Sequence, residues 1–355
     1  MSRTLMKGNE ALARAAIRGG CTHFFGYPIT PQNEIPEYFA RELPKAGGLF
    51  LQAESEIAAV NMLYGAAAAG ARAMTSSSSP GIALMQEGIS MLAATEIPCV
   101  IVNVMRGGPG LGTIQPAQSD YFQMTRGGGN GDYRIISLAP ATVQESAEMM
   151  EESFELAQKY RTPVFLVSDG LLGQMMEPVQ FDRHTKKKRA GNKRWILTGH
   201  RHRRPPRTIK SLRLDPAKLE SHNLELQDKY GRISRRETRF ELYRTSDAEL
   251  VFCAFGSTAR IVKNSIDDLR QKGCRAGLIR PQTLWPFPVQ PFKALPESGK
   301  AVICVEMNCG QMVDDVRLAV EGRMPVHFYG RCGGVIPEPA ELSEYALELL
   351  TGGAA

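Results

Sequence analysis

Short apolar runs alternate with longer stretches of helical spacing through the first 178 residues, and this alternation restricts the chain to a narrow set of folds. Runs at 23–27, 49–52, 72–76, 99–105, 134–138 and 163–168 have strand length. Between them, 9–17, 32–43, 56–69, 81–94 and 141–159 carry apolar residues three and four apart, and glycine pairs such as Gly19-Gly20 close some of these stretches. Strands separated by helices of this length need crossover connections, so they pair in parallel in a sheet covered on both faces. The pattern stops near 180 and returns at about 248. Strands are expected there at 250–255, 276–279, 301–306 and 326–329, and helices at 257–272, 312–320 and 340–350. The 355 residues are thus expected to form an α/β chain of two domains, 1–180 and a smaller one at 248–355, with a basic linker over 181–247.

Charge is distributed unevenly. The formal net charge is +6, yet 183–213 alone holds thirteen Lys and Arg with no Asp or Glu. Removing those thirteen from the chain's 43 leaves 30 basic residues against 37 acidic ones. One reading is an arm that binds nucleic acid or another anion. The other, preferred because only Trp195 offers a stacking ring, is a solvated linker or a segment laid over an acidic partner chain. The seven cysteines are scattered and include no CxxC pair, so neither a disulfide framework nor a cysteine-held cluster is expected in this chain. No run approaches the roughly 18 apolar residues of a membrane span, and the first twenty residues lack an apolar signal core, which predicts a cytoplasmic protein without a membrane contact.

In open parallel sheets, ligands bind beyond the carboxyl ends of the strands. The unusual residues of this chain fall at those positions. The first expected strand ends in Gly26-Tyr27-Pro28-Ile29-Thr30-Pro31, the second in Glu54-Ser55-Glu56, the third in Ser76 to Ser79 followed by Pro80, and the fourth in Arg106 before a loop with glycines at 107, 108, 110 and 112. Each has a purely structural alternative. Thr30, Ser55 and Ser79 resemble helix N-caps, two of them followed by proline, and Arg106 resembles a surface partner of Glu54 or Asp120. Their recurrence on successive loops points instead to a ligand-binding rim. The glycine loop does not match a dinucleotide fingerprint, and Ser168-Asp169-Gly170 lacks the leading glycine of a magnesium–diphosphate motif. No metal ligand is assigned to this chain.

The segments GYPITPQNEIPEY (26–38), LQAESEIAAVNMLYGAAAAGARAMTSSSSPGI (51–82) and NVMRGGPGLGTIQPAQSDYFQ (103–123) resemble the alpha subunit of 2-oxoacid:ferredoxin oxidoreductases. The likeness continues at 127–134, 162–170 and 277–288, and the RGGPGLG loop is most similar to the branched-chain, 2-oxoisovalerate type, with the 2-oxoglutarate type as the alternative. The resemblance implies a pyrimidine-type thiamine-diphosphate domain followed by a transketolase C-terminal-like domain. It implies Glu56, with Glu54 as runner-up, as the carboxylate against the aminopyrimidine ring, in an apolar wall formed by the helix that follows. It implies Thr30 and Arg106 beside the substrate, and Tyr27, Pro28, Ile29, Ser78 and Ser79 around the cofactor. A beta subunit would share thiamine diphosphate and carry Mg²⁺ and a [4Fe-4S] cluster. Gamma and delta subunits are possible additions to an (αβ)₂ core, with coenzyme A and ferredoxin as co-reactants. The reaction implied is oxidative decarboxylation of a 2-oxoacid to an acyl-CoA. Two rivals differ in class: a nucleic-acid-binding protein using 183–213, and a scaffold without chemistry.

Overall fold

A computed structural model describes residues 3–181, 194–200, 202–295 and 299–351. Seven strands form the larger sheet, in the order Thr283–Trp285, Ile136–Leu138, Pro163–Asp169, Cys99–Met105, Ala73–Ser77, His23–Gly26 and Leu49–Gln52. All pairs are parallel except the first, which is antiparallel. The central strands Cys99–Met105 and Pro163–Asp169 are buried along their whole length, as continuous Val- and Ile-rich runs between two helical layers must be. The smaller sheet runs Val326–Gly330, Ala301–Glu306, Leu250–Cys253, Ala276–Pro281 and Phe240–Tyr243, the last antiparallel. A separate antiparallel pair joins Thr4–Lys7 to Met176–Val179.

The two halves interlock. Thr283–Trp285, from the C-terminal half, is the edge strand of the N-terminal sheet, and Ala139 N–H donates to the Gln282 carbonyl at 2.8 Å. The expected helix over 81–94 is two helices, Ser79–Leu84 and Gln86–Ala94. They meet at Met85, whose N–H is shared between the carbonyls of Gly81 and Ile82 at 3.2 and 3.1 Å, a tightened last turn.

The stretch expected as a basic linker differs from that expectation. Within it, Pro216–Glu237 is a 22-residue helix, capped by Asp215, whose carboxylate accepts from Ala217 N–H at 3.1 Å. Leu226, Tyr230 and Ile233, at i, i+4 and i+7, are buried against the first domain. Lys229 is buried beside them, donating to Glu96 at 3.1 Å and to the Arg161 carbonyl at 3.2 Å. Phe240–Tyr243 then enters the smaller sheet. Residues 183–193 and 201 of the arm lie outside the described residues. Trp195, the one ring available for stacking on a base, has the Arg161 guanidinium 5.2 Å above it. No described helix is long and apolar enough to cross a membrane. Cys21, Cys99, Cys253 and Cys304 are buried, and burial pushes the Cys21 thiol up to about 12. Cys309 and Cys332 are exposed.

Candidate active site

The parallel register brings the carboxyl ends of strands His23–Gly26, Leu49–Gln52, Ala73–Ser77 and Cys99–Met105 to one edge, so the four unusual loops form one rim. Glu56 is the first residue of helix Glu56–Ala68. Ser55 is its N-cap, with its hydroxyl accepting from Ala58 N–H at 3.1 Å. Glu56 is 6% exposed, whereas Glu54 is exposed. The buried face of its helix is Ala59, Val60, Leu63 and Ala67.

Helix Ser79–Leu84 lies against this carboxylate through Gly81. A Cβ there would stand 2.5 Å from Glu56 Oε1 and 2.1 Å from Ser77 Oγ, so only glycine permits the approach. The neighbouring hydroxyls of Thr75, Ser77 and Ser78 are buried without a hydrogen-bond partner. Buried polar groups are normally paired. A buried carboxylate among unspent hydroxyls suits a flat heterocycle that offers ring nitrogen and amino groups. These residues therefore fit the aminopyrimidine of thiamine diphosphate.

Arg106 ends strand Cys99–Met105 and is 7% exposed. Its Nη1 donates to the Thr30 carbonyl at 2.9 Å and its Nη2 to the Leu111 carbonyl at 3.0 Å, joining the first and fourth rim loops. The purely structural alternative, a surface pair with Glu54 or Asp120, does not form. Arg106 makes no ion pair among the described residues, and its Nε is buried without a partner. A buried cation left without a counter-charge is costly until an anion arrives. The loop it holds turns sharply at Gly112, where φ is +53° and a Cβ would lie 1.8 Å from the Gly107 carbonyl oxygen.

Thr30 is not a helix cap, because the next helix starts at Glu34 behind Asn33. Its hydroxyl accepts from Asn33 Nδ2 at 3.5 Å. Tyr27 and Pro28 are exposed and Ile29 is half-buried on the same loop. Gln32, not singled out in the sequence, holds that loop: its Nε2 donates to the Tyr27 carbonyl at 3.3 Å and its Oε1 accepts from Ser76 at 2.5 Å. Ser78, rather than Ser79, is the N-cap of Ser79–Leu84, and its side chain makes no capping bond.

Ser79 has a different environment. Its hydroxyl lies 2.5 Å from Asp120 Oδ2 and 3.2 Å from the Arg106 carbonyl, and it accepts from Arg106 N–H at 3.1 Å. Asp120, a residue carrying no periodic signal, also accepts from Asn103 Nδ2 at 2.9 Å. Burial pushes its carboxyl above the ordinary range, against the pull of those two hydrogen bonds.

A cleft of about 530 Å³ opens beside Ser79 and Asp120, bounded by the glycine loop and, from the second domain, by Asn308, Cys309 and Cys332. Gln118 fixes that junction. Its Nε2 donates to the Phe255 carbonyl at 2.9 Å, and its Oε1 accepts from Thr258 at 2.8 Å. Asp169 caps Gly170–Gln174, accepting from Leu171 and Leu172 N–H, and receives the Ser257 hydroxyl at 2.6 Å. Its role is structural.

Residues 14–244 match the family model "Pyruvate flavodoxin/ferredoxin oxidoreductase, thiamine diP-bdg", and 248–342 match "Pyruvate:ferredoxin oxidoreductase core domain II". The ketoisovalerate oxidoreductase subunit VorB of Methanothermobacter thermautotrophicus is 46% identical over 98% of both chains. The 2-oxoglutarate synthase subunit KorA of Archaeoglobus fulgidus is 39% identical over 89% of this chain and 91% of its own. Among solved structures, 2-oxoglutarate:ferredoxin oxidoreductase from Magnetococcus marinus, with 2-oxoglutarate, coenzyme A and succinyl-CoA bound, superposes with a TM-score of 0.85 at 30% identity. That match covers 98% of this chain and 65% of that one. A split-gene transketolase in an inactive tetramer shares the fold at a TM-score of 0.61 and 13% identity.

Proposed function

Because the chain belongs to the thiamine-diphosphate-dependent 2-oxoacid:ferredoxin oxidoreductases, we propose that it is the alpha subunit of a branched-chain type acting on 2-oxoisovalerate. The reaction is oxidative decarboxylation to the acyl-CoA and CO₂, with electrons passed to ferredoxin. The observation that carries the site assignment is Arg106, a buried guanidinium with no carboxylate partner among the described residues. It suits the carboxylate of a 2-oxoacid, with its Nε free and its two terminal nitrogens already fixing the loop. Thr30 supplies a hydroxyl on the adjoining loop.

Thiamine diphosphate, when bound, supplies the electron sink for loss of CO₂. Glu56 would hold its proton at the N1′ position of the aminopyrimidine, with Ser78 and Ser79 and the Tyr27–Ile29 backbone around the ring. Ala59, Val60 and Leu63 form the buried apolar face of the helix that Glu56 begins.

The diphosphate, Mg²⁺ and a [4Fe-4S] cluster fall to a beta subunit in this reading, in an (αβ)₂ or larger assembly with or without gamma and delta chains. Exposed apolar side chains beside the rim, Tyr27, Leu51, Ile57, Met62, Leu111 and Ile114, support a partner there. The higher identity to VorB than to KorA favours 2-oxoisovalerate over 2-oxoglutarate. The co-purified complex, supplied with thiamine diphosphate, coenzyme A and a viologen acceptor, should reduce the viologen faster with 2-oxoisovalerate than with 2-oxoglutarate or pyruvate. A preference for 2-oxoglutarate would overturn the substrate, and reduction with none of the three would overturn the reading.

A further inference from the structure

We propose that Asp120 is a positioning residue that sets the Arg106 backbone through the hydroxyl of Ser79. The inference deepens the active-site reading above and rests on it for its kinetic consequence alone.

Ser79 has one hydroxyl proton and two acceptors in reach, Asp120 Oδ2 at 2.5 Å and the Arg106 carbonyl at 3.2 Å. It also accepts the Arg106 N–H at 3.1 Å. If Asp120 carries a proton, that proton goes to Ser79 Oγ, and Ser79 in turn donates to the Arg106 carbonyl. Both backbone groups of Arg106 are then held. If Asp120 is ionised, the serine proton goes to the carboxylate, the stronger acceptor, and the Arg106 carbonyl loses its partner. The charge on one aspartate therefore decides whether the start of the glycine loop is tied at both backbone atoms or at one.

Three features make this switch specific to Asp120. Among the described residues its two hydrogen bonds, from Ser79 and Asn103, both fall on Oδ2, and Oδ1 has no partner while the side chain lines the cleft. No lysine or arginine forms an ion pair with it among the described residues. Burial raises its proton affinity. The other charged or titratable groups around it are Arg106 from the neighbouring strand end, Cys309 and Cys332 across the cleft, and Tyr121 behind it. The Tyr121 hydroxyl lies 2.6 Å from Asp315, which pairs with Arg126 at 3.0 Å. The Tyr121 hydroxyl is held well above its ordinary range, and contact with the Cys332 thiol raises that of Cys309.

The test is amide hydrogen exchange of the 104–112 segment across the pH range in which the complex stays assembled, corrected for intrinsic exchange, for the parent, Asp120→Asn and Ser79→Ala. Protection in the parent should fall as pH rises. Asp120→Asn, which cannot ionise, should show no such step, and Ser79→Ala should be poorly protected at every pH. Kinetically, Ser79→Ala should raise KM for 2-oxoisovalerate about tenfold, the loss of roughly one hydrogen bond. The proposal fails if Asp120→Asn follows the parent at every pH or if Ser79→Ala leaves protection unchanged. Should the parent complex decarboxylate no 2-oxoacid, the exchange data still decide the role of Asp120, and only the functional reading is lost.

Discussion

Arg280 of the second domain grips Glu145 of the first with both arms of its guanidinium, Nη2 to Oε1 at 2.6 Å and Nη1 to Oε2 at 3.1 Å. Its Nε reaches Glu241 at 2.6 Å, and the side chain is almost wholly buried. Glu145 is itself committed. It lies three residues after Thr142, the cap of helix Val143–Tyr160, and its Oε2 accepts from Ala141 N–H at 2.8 Å. The interdomain ion pair and the helix start thus share one carboxylate. Replacing Arg280 by Ala leaves Glu145 without its cation and Glu241 with Lys263 alone, which should cost about 3 kcal/mol. A urea denaturation midpoint unchanged from the parent would contradict this. Arg280→Lys should recover only part of the loss, because an ammonium cannot serve Glu145 bidentately.

The same cluster sets an acid limit. Burial alone would raise the Glu241 carboxyl, but Lys263 and Arg280 outweigh it and hold the group below its ordinary 4.5. A carboxyl depressed in the folded state contributes stability above its unfolded value and loses it as pH falls through the folded one. Denaturation midpoints measured downward from about pH 5 should therefore decline. They should decline less steeply in Arg280→Ala, which has lost the main interdomain cation. A parallel decline in both proteins would place the acid sensitivity elsewhere.

Glu56 and Glu54 stand two residues apart, and only Glu56 is buried. Glu56→Gln keeps the shape and removes the proton-holding oxygen, so decarboxylation should fall by about a hundredfold or more while the complex still assembles. Glu54→Gln should retain most activity. The measurement is single-turnover CO₂ release from both purified variants. Equal loss in the two, or loss confined to Glu54→Gln, would reverse the assignment.

How far these features were legible in the sequence depends on how local their signals are. The parallel sheets were readable because strands such as Cys99–Met105 are unbroken apolar runs bounded by turns. Thr283–Trp285 was not, because three residues carry no periodicity and their place depends on a sheet formed by the other half of the chain. Helix Pro216–Glu237 was hidden for another reason: it buries a narrow stripe, and its charged residues read as linker. The rim residues were conspicuous as a threonine, a glutamate and an arginine at successive strand ends. Gln32 and Asp120 were not, since a polar residue in a polar loop acquires meaning only from partners 44 and 41 positions away.

Beside the rim, apolar side chains face outward in a way no packing among the described residues explains. Ile57 is 52% exposed one residue after buried Glu56, and Leu111 is 79% exposed at the tip of the loop that Arg106 holds. Burying either against a partner is worth about 2 kcal/mol, and an aspartate in its place would have to be desolvated as well. Ile57→Asp and Leu111→Asp should therefore reduce recovery of the partner subunit in co-purification at least tenfold without altering the circular dichroism of the chain itself. Leu214, 85% exposed but in the stretch before helix Pro216–Glu237, provides the control, and Leu214→Asp should recover the partner as the parent does. If all three variants recover it equally, the partner does not cover this rim, and a cofactor site completed across that junction would have to be abandoned. If Leu214→Asp alone fails, the assembly surface lies along the arm, and its excess of basic residues becomes the feature to explain.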